Sequence, residues 1–396
     1  MRGYKIRIYP NKAQEEILNK TFGCRRFIWN QLLEDVKRSY ELNKTFERRT
    51  LKQLKENFPF LCEVSQQSKN NAEIDFNTAL NRFLKDRKSS KNHKVKFPRF
   101  KSKRGLQSYR TCQVSKSIQR GNHFFLETLG LVKYKHHFDV DFNSLTIKSV
   151  TVKKYPSGKY YASLLVENPP KKEHQEATKE IGIDLGVKDF ITLSDGTKIS
   201  NPKHSEKAEL RLRTIQKEFS RAQKGSKNHE KIRIKLAKAY EKVSNQREDF
   251  LHKLSTKLIN ENQVICLETL NISNMLRNHH LAKAIQSVSW NIFVKMLEYK
   301  AEDAGRSLVK IDRFYPSSKL CHHCGYKNEN LQLKDRSWKC PQCGSELDRD
   351  INASVNILNE GLKLLNHRAY GDSLCKLEIN TEVHRESQQI LLKRNV

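Results

Sequence analysis

The chain is poor in proline and glycine, and it has no long run of apolar residues. It contains 9 prolines and 15 glycines in 396 residues, which is not the composition of a disordered or fibrous protein. No apolar stretch reaches the roughly 18 residues that a membrane-spanning helix needs, and the first residues contain no apolar signal-peptide core. We therefore expect a cytoplasmic protein with packed domains and no membrane partner.

Acidic residues are scarce relative to basic ones. The chain has 75 Lys and Arg residues against 44 Asp and Glu residues, so its formal net charge is +31. Such an excess predicts a polyanionic partner, and nucleic acid is the most common one. The length indicates two to four domains of ordinary size.

Four of the nine cysteines form two CxxC pairs. An odd number of cysteines does not indicate a disulfide framework. The pairs Cys321/Cys324 and Cys340/Cys343 are separated by fifteen residues, a spacing typical of four thiolates around one zinc ion. Because four ligands saturate the ion, we predict a structural zinc site without catalytic activity.

Three acidic residues lie in settings that favour metal binding. Asp184 interrupts the apolar strand IGIDLG, Glu268 ends the apolar strand VICLE, and Asp350 lies where a helix should begin. Each acid alone could belong to a turn or cap a helix. Together they would repel one another unless divalent cations bound between them, and two Mg²⁺ ions are suited to hydrolysing a phosphodiester.

The spacing of apolar residues divides the chain into regions. It predicts a strand over residues 4–9, several helices over 12–84, short strands of a small β-barrel over 111–167, and a helical pair over 205–222 and 228–260. The first strand could complete the barrel, which would make the helical region an insertion. A basic segment, residues 82–104, has eleven Lys or Arg residues and one acid. This segment and the helical pair are either solvated surfaces or nucleic-acid contacts.

Several motifs in order resemble the TnpB family, the OrfB-type proteins of bacterial insertion sequences and relatives of the type V CRISPR effectors. The motifs are GIDLGVKDF, CLETLNISNM, FYPSSKLCHHCG, CPQCG and DRDINASVNI, together with YKIRIYPNKAQEEILNKTFGCRRFIWN and KFPRFKSKRG near the N-terminus. Ser354 stands where the family usually has a second alanine, a small difference that should not affect metal binding.

The resemblance implies a multidomain α+β architecture. We expect an RNase H-like (RuvC) α/β nuclease domain with an inserted zinc ribbon, and a small β-barrel wedge domain interrupted by a helical recognition domain. The expected bounds are 1–10 and 104–178 for the wedge, 11–103 for the recognition domain, 179–312 and 346–360 for the nuclease, 313–345 for the ribbon, and 361–396 for a disordered tail.

The resemblance also implies an activity and its partners. Members bind a guide RNA from the transposon end, recognise a short transposon-adjacent motif, and cleave double-stranded DNA with Mg²⁺. The host would be bacterial or archaeal, the protein would lie on the nucleoid when bound to DNA, and the transposase of the same element is a further candidate partner. In this family base pairing reads the sequence while the protein holds phosphates.

The family's functional residues correspond to particular positions of this chain. Asp184, Glu268 and Asp350 match the Mg²⁺ ligands, and Asp348 is the competitor of Asp350. Candidate nucleic-acid contacts are Gln66 and Asn70, which fall on the helix that reads the adjacent motif, and the basic residues Arg99, Lys101, Lys103 and Arg104. Ordinary surface roles stay open for Gln66 and Asn70.

Two other functions compete with a guided endonuclease. A nuclease-inactive, RNA-guided DNA-binding repressor would have lost its acids, whereas all three acids are present here. A transposase of the DDE type would also have an RNase H fold and three acids. It would not account for a zinc ribbon inserted before the last acid.

Overall fold

A computed structural model of the chain describes residues 1–89, 94–114, 118–135, 140–169, 176–201, 204–269, 289–332 and 334–367. The described residues form two compact units. One comprises those of Met1–Pro170 and Leu212–Glu241, and the other comprises those of Lys171–Arg211 and Lys242–Val396. None of the helices in these ranges is both long and apolar enough to cross a membrane.

The first unit contains three helices and a seven-stranded sheet. The elements are β1 (Arg2–Tyr9), α1 (Lys12–Asn43), α2 (Leu51–Asn57), α3 (Gln66–Ser89), β2 (Gln107–Thr111), β3 (Gln119–Arg120), β4 (His123–Leu126), β5 (Gly130–Lys135), β6 (Thr146–Lys154) and β7 (Tyr160–Glu167), with short 3-10 helices at Pro59–Glu63 and Phe142–Ser144. Helices α4 (His204–Arg221) and α5 (Lys227–Glu261) are divided between the two units.

The second unit contains a five-stranded sheet and a two-stranded one. Its strands are β8 (Lys179–Leu185), β9 (Asp189–Leu193), β10 (Lys198–Ser200), β11 (Asn262–Glu268), β12 (Ser307–Ile311), β13 (Ser337–Lys339) and β14 (Glu346–Asp348). Helix α6 (Trp290–Ala304) precedes β12, and helix α7, residues 349–367, follows β14.

Helix α1 begins at a reciprocal cap. Asn11 Oδ1 accepts the N–H of Gln14 at 2.9 Å, and the Gln14 side chain accepts the N–H of Asn11 at 3.0 Å. The apolar face of α1 includes Ile28 and Leu32, which are fully buried against Phe76 of α3. This packing confirms the helical region that the sequence predicted.

The seven-stranded sheet is antiparallel and surrounds a single core. Its strand order is β2-β6-β7-β1-β5-β4-β3. Tyr109 of β2 and Phe124 of β4, from opposite sides of that order, share a core with Ile6 and Ile8 of β1. A core shared by strands from both ends of the order is the arrangement expected of a small barrel. Because β1 pairs with both β5 and β7, the first strand completes the sheet, and the helices α1–α3 are an insertion after it.

The five-stranded sheet is mixed and has helices on both faces. Its order is β10-β9-β8-β11-β12, in which β8, β11 and β12 are parallel and the β8–β9–β10 connections are antiparallel. Alternate residues of β8, Ile181, Ile183 and Leu185, pack with α5 and α6. The opposite face carries α7, whose Ile357 is buried against β11 and β12.

Two glycines allow α7 to lie directly on the sheet. A Cβ atom at Gly182 of β8 would come within 2.1 Å of the Ser354 carbonyl oxygen and 2.8 Å of the Leu358 backbone nitrogen. A Cβ atom at Gly361 of α7 would come within 2.3 Å of the Cys266 sulfur in β11. Since Gly182 pairs with Cys266 across the two strands, the helix is held closely at two neighbouring points.

Helical structure extends beyond two of the boundaries that the sequence predicted. The basic segment begins inside α3, which continues to Ser89. The tail expected to be disordered from residue 361 is helical as far as 367, because Leu362 and Leu365 pack against the sheet. Residues 368–396 lie outside the described residues.

The helical pair is not wholly part of the expected nuclease region. Residues Leu212–Glu241 belong to the first unit. Tyr161 Oη of β7 donates to Glu241 Oε1 at 2.9 Å, and Lys159 forms an ion pair with the same carboxylate. These contacts attach the helical pair to the seven-stranded sheet. The spacing of apolar residues within the helices could not predict them, because they join residues that are distant in the sequence.

The substitution Gly182→Ala tests the packing of α7. The added methyl collides with backbone atoms, which cannot move aside as a side chain can by changing its rotamer. We therefore expect a loss of about 3 kcal/mol in the free energy of unfolding. Denaturant unfolding measures it. Gly3→Ala, in β1, is the matched control, because a Cβ there meets no atom within 4 Å. Equal stability of the two variants would contradict the close packing.

Candidate functional site

The three predicted acids come together at one end of the five-stranded sheet. In β8, Gly182 faces α7, so Asp184, two residues later, lies on the same face. In β11, Cys266 contacts α7 and Glu268 follows by the same spacing. Ile183 pairs with Leu267, which places the two acids at the same level of parallel strands. Asp350 lies in the first turn of α7 on this face.

The electrostatics of this end show that the carboxylates affect one another. Burial, together with the negative charges of Glu268 and Asp350, raises the pKa of Asp184 from its ordinary 3.8 to about 8, against the opposing charge of Arg349. Burial also raises the pKa of Glu268 to about 7. Ionising both acids in this environment is unfavourable unless a cation compensates.

Asp350 and Asp348 have different surroundings. Asp348 Oδ1 accepts the N–H groups of Asp350 at 3.1 Å and Ile351 at 3.0 Å, so it caps α7, and Lys198 pairs with its other oxygen at 2.7 Å. Asp350 Oδ2 lies 3.8 Å from Arg336 Nη1, near the other two acids. Asp348 therefore caps α7 and pairs with Lys198, whereas Asp350 is the one of the two whose charge acts on Asp184.

The donor set at the three acids fits divalent cations with a preference for oxygen. Carboxylates are the ligands that Mg²⁺ uses, and burial is the largest cause of the raised pKa values of Asp184 and Glu268.

The four cysteines form a compact cluster. All four sulfur atoms lie within 4.8 Å of one another, with 3.7 Å between those of Cys321 and Cys343 and 3.5 Å between those of Cys324 and Cys340. Each pair turns at a glycine with positive φ, Gly325 or Gly344. Four thiolates at these distances can bind one zinc ion.

Polar side chains join the first cysteine pair to α7. Asn352 Oδ1 accepts the N–H of His322 at 3.0 Å, and Asn352 Nδ2 donates to the Leu320 carbonyl at 2.6 Å. One turn later, Asn356 Nδ2 donates to the carbonyls of Leu320 and Ser317. The second pair is joined through β14, which leads directly into α7. The cysteine cluster therefore supports the helix that carries Asp350.

Sequence reasoning had not assigned roles to Asn352, Asn356 and Arg336. The two asparagines are four residues apart, a spacing that puts both on one face of a helix, and both are buried. The four-residue spacing of the two asparagines on a predicted helix could have indicated a shared role. Nothing in the sequence indicated a role for Arg336, because only the folding of the chain brings it near Asp350.

Gln66 and Asn70 occupy the exposed first turn of α3. Gln66 Nε2 donates to Asn70 Oδ1 at 2.7 Å. Their neighbours face inward: Thr111 Oγ1 donates to Gln67 Oε1 at 2.6 Å, and Asn71 Nδ2 donates to the Arg110 carbonyl at 2.9 Å. Helix α3 is therefore attached to β2, with the Gln66–Asn70 pair outside the contact.

The four basic candidates differ in what their side chains do. Arg99, Lys103 and Arg104 are exposed. Lys101 is exposed as a residue, but its ammonium lies 3.4 Å from the centre of the Trp29 ring. Burial of that ammonium, with the nearby charge of Arg25, lowers the pKa of Lys101 to about 8. Lys101 thus holds its segment on α1.

The raised pKa of Asp184 predicts a pH dependence of stability. In the absence of metal the folded protein keeps a proton on Asp184 that the unfolded chain releases, so stability should fall as pH rises from about 4 to about 8. Asp184→Asn stays neutral, and its gain in melting temperature over the wild type should be larger near pH 9 than near pH 5. The exposed Asp195→Asn is the control. An Asp184→Asn gain independent of pH would be contrary to this assignment.

Loss of one cysteine ligand should destabilise the ribbon. Metal binding at such a site is itself folding free energy, so Cys340→Ser should lose bound zinc and lower the melting temperature by about 10 °C. Cys112→Ser, which changes an exposed cysteine outside the cluster, should leave both unchanged. Metal analysis and calorimetry measure these effects, and a Cys340→Ser protein with full zinc content would exclude the cluster as the binding site.

Three family models match the chain. Residues 163–279 match the OrfB_IS605 model, described as "Probable transposase", and residues 290–357 match the Cas12f1-like TNB domain. Residues 1–45 match a model described as a helix-turn-helix domain. In the structure those residues form β1 and the single long helix α1.

Relatives of similar length carry a common name. A "Putative RNA-guided DNA endonuclease" of Streptomyces pristinaespiralis is 36% identical over 373 residues, which cover 91% of this chain and 89% of the relative. The Escherichia coli protein "Putative RNA-guided DNA endonuclease InsQ" is 26% identical, with 92% and 93% covered.

The solved structures show a similar fold. The structure of a Cas12f1–sgRNA–target DNA complex matches with a TM-score of 0.51 at 16% identity, covering 88% of this chain and 83% of that chain. At 16% identity, the similarity shows only that the two chains share a mixed α/β fold.

The Streptomyces relative is 36% identical and aligns over 89% of its own length. The chain therefore belongs to the TnpB family.

Proposed function

We propose that this protein is an RNA-guided DNA endonuclease of an insertion sequence. The observation that carries the proposal is the convergence of Asp184, Glu268 and Asp350 on one face of the five-stranded sheet, where burial and mutual repulsion raise the pKa of Asp184 to about 8. Family membership agrees with it, since relatives carry the name of such an enzyme.

The strand order supports a nuclease domain of the RNase H type. A three-stranded antiparallel meander extended by two parallel strands, with helices on both faces, agrees with the layout expected for a RuvC domain. In this layout the acids come from the first strand, from the end of the fourth and from a late helix. The chain has Asp184, Glu268 and Asp350 at those positions.

In the proposed reaction the three carboxylates hold two Mg²⁺ ions. When bound, the ions would activate water and stabilise the leaving 3′ oxygen of the phosphodiester. Asp184 and Glu268 are positioned by rigid strands, and Asp350 is positioned by α7. Arg336, at 3.8 Å from Asp350, adds positive charge beside the site, which favours the approach of a phosphate.

The ribbon has a structural role in this proposal. Zinc on the four cysteines would hold the polypeptide turn whose backbone binds Asn352 and Asn356. Those bonds orient α7, so the ribbon would maintain the position of Asp350 without taking part in hydrolysis.

The charge of +31 and the exposed polar residues account for nucleic-acid binding. We assign the guide RNA from the transposon end and the double-stranded target to the basic surfaces, and we assign Gln66 and Asn70 to the short motif beside the target. Arg99, Lys103 and Arg104 would contact phosphates. The transposase of the same element is a further candidate partner.

Co-purification tests the guided function. The gene is expressed with its flanking DNA, the protein is purified, and the bound RNA is sequenced. We expect one discrete RNA with a defined 3′ segment, which then names the DNA target for a cleavage assay with Mg²⁺. Heterogeneous cellular RNA, or none, would favour a protein that finds DNA by itself, as a transposase does.

A single substitution separates cleavage from binding. Asp184→Ala should reduce the cleavage rate by at least about 100-fold, because it removes a metal ligand, while RNA-dependent binding of the target is retained. Asp195→Ala, an exposed acid of the same unit, is the control. A wild-type protein that binds its target but does not cut would support the nuclease-inactive repressor instead.

A further inference from the structure

A groove in the first unit combines positive charge with an exposed aromatic ring. It lies between α1, the end of α3 and the extended segment of residues 95–100, and it encloses about 570 Å³. Its lining includes four cations and two phenylalanines: Lys37, Arg87, Lys96, Arg99, Phe97 and Phe100. We call it the Phe100 groove.

The walls of the groove are held by hydrogen bonds to the flanking helices. Trp29 Nε1 donates to the Arg99 carbonyl at 2.9 Å, and the Val95 N–H donates to Asp86 Oδ2 at 3.1 Å. Asn30 exchanges two bonds with the backbone of Lys101, at 2.9 and 3.1 Å. The segment is therefore anchored at both of its ends, which prepares the groove for a ligand.

The cations of the groove outnumber its acids. None of the ion pairs between described residues involves Lys37, Arg87, Lys96 or Arg99, and all four are exposed. One carboxylate, that of Asp86, lies beside them and accepts the Val95 N–H. The excess of positive charge around one concave surface attracts a polyanion. The ligand must therefore supply phosphate or an equivalent anion.

The aromatic residues point to a base. Phe97 is fixed against Phe83, with ring centroids 5.2 Å apart, whereas 71% of Phe100 is exposed. Phe100 thus presents an exposed aromatic face beside four cations, and base stacking on aromatic side chains is the usual arrangement in proteins that bind single strands. A paired base is already stacked on its neighbours, so the free face of Phe100 favours an unpaired one.

We propose that the Phe100 groove binds an unpaired nucleotide, with the base on Phe100 and the adjacent phosphates on the four cations. The nucleotide belongs either to the RNA or to a single strand of DNA. The assignment rests on the proposed function, which requires the protein to bind RNA and to open a DNA duplex.

Photocrosslinking and binding measurements test the groove. The full-length protein, freed of nucleic acid in high salt, is mixed with a short oligouridylate carrying one 5-iodouracil, with its deoxy counterpart, or with a fully paired RNA hairpin. Phe100→Leu should weaken single-strand binding by about 10-fold and leave hairpin binding nearly unchanged, and Phe100→Trp should restore it. A crosslink on the peptide containing Phe100 is expected in the wild type.

The controls separate the groove from general charge. Phe314→Leu changes a phenylalanine that is 76% exposed and also adjoins an arginine, so it should not affect binding. Lys96→Gln should reduce the salt dependence of single-strand binding by about 0.7 in log–log slope. Melting temperatures verify that each variant is folded.

The outcomes distinguish the groove from the proposed function. Crosslinking by the RNA probe or by the DNA probe identifies which strand occupies the groove. If the wild type binds single strands and Phe100→Leu binds them equally well, or loses hairpin binding to the same extent, the groove assignment is wrong while the guided function stands. If the wild type binds none of the probes, the groove assignment fails, and the guided function is decided separately by the co-purified RNA.

Discussion

The close contact between helix α7 and the five-stranded sheet is the constraint on which the candidate active site depends. Gly182 lets the Ser354 carbonyl approach β8, and Gly361 lets the helix approach Cys266 of β11. Side chains at either glycine would lift the helix from the strands. Since Asp350 lies one turn before Ser354, the distance between helix and sheet sets the distance from Asp350 to Asp184.

The cysteine cluster acts on the same helix from its other side. Asn352 and Asn356 bind the backbone around the first cysteine pair, and β14 joins the second pair to the start of α7. Folding of the ribbon and placement of Asp350 are therefore coupled. Because of this coupling, the four cysteines that precede the last acid in the sequence also support the position of that acid.

Much of this arrangement could be predicted from the sequence. The apolar residues around Asp184 identified a strand that carries one carboxylate, and the CxxC spacing identified the cysteine cluster. Both signals are local, because an apolar strand or a CxxC spacing can be recognised within a few consecutive residues.

Other features depend on contacts between distant residues. Lys101 was expected to contact nucleic acid, but its ammonium lies over Trp29, some seventy positions earlier in the chain. Helix α7 extends to residue 367 because leucines meet the sheet, and Leu212–Glu241 joins the first unit because Glu241 meets Tyr161 and Lys159. Composition and periodicity carry no information on such pairings.

The proposed metal site is formed by three acids from β8, β11 and α7. Anomalous diffraction from crystals soaked in Mn²⁺, a common substitute for Mg²⁺, measures directly whether these acids bind metal together. We expect anomalous density bounded by Asp184, Glu268 and Asp350, and none at this place in the Asp184→Asn protein. Manganese bound elsewhere, with the three carboxylates free of metal, would rule out the site.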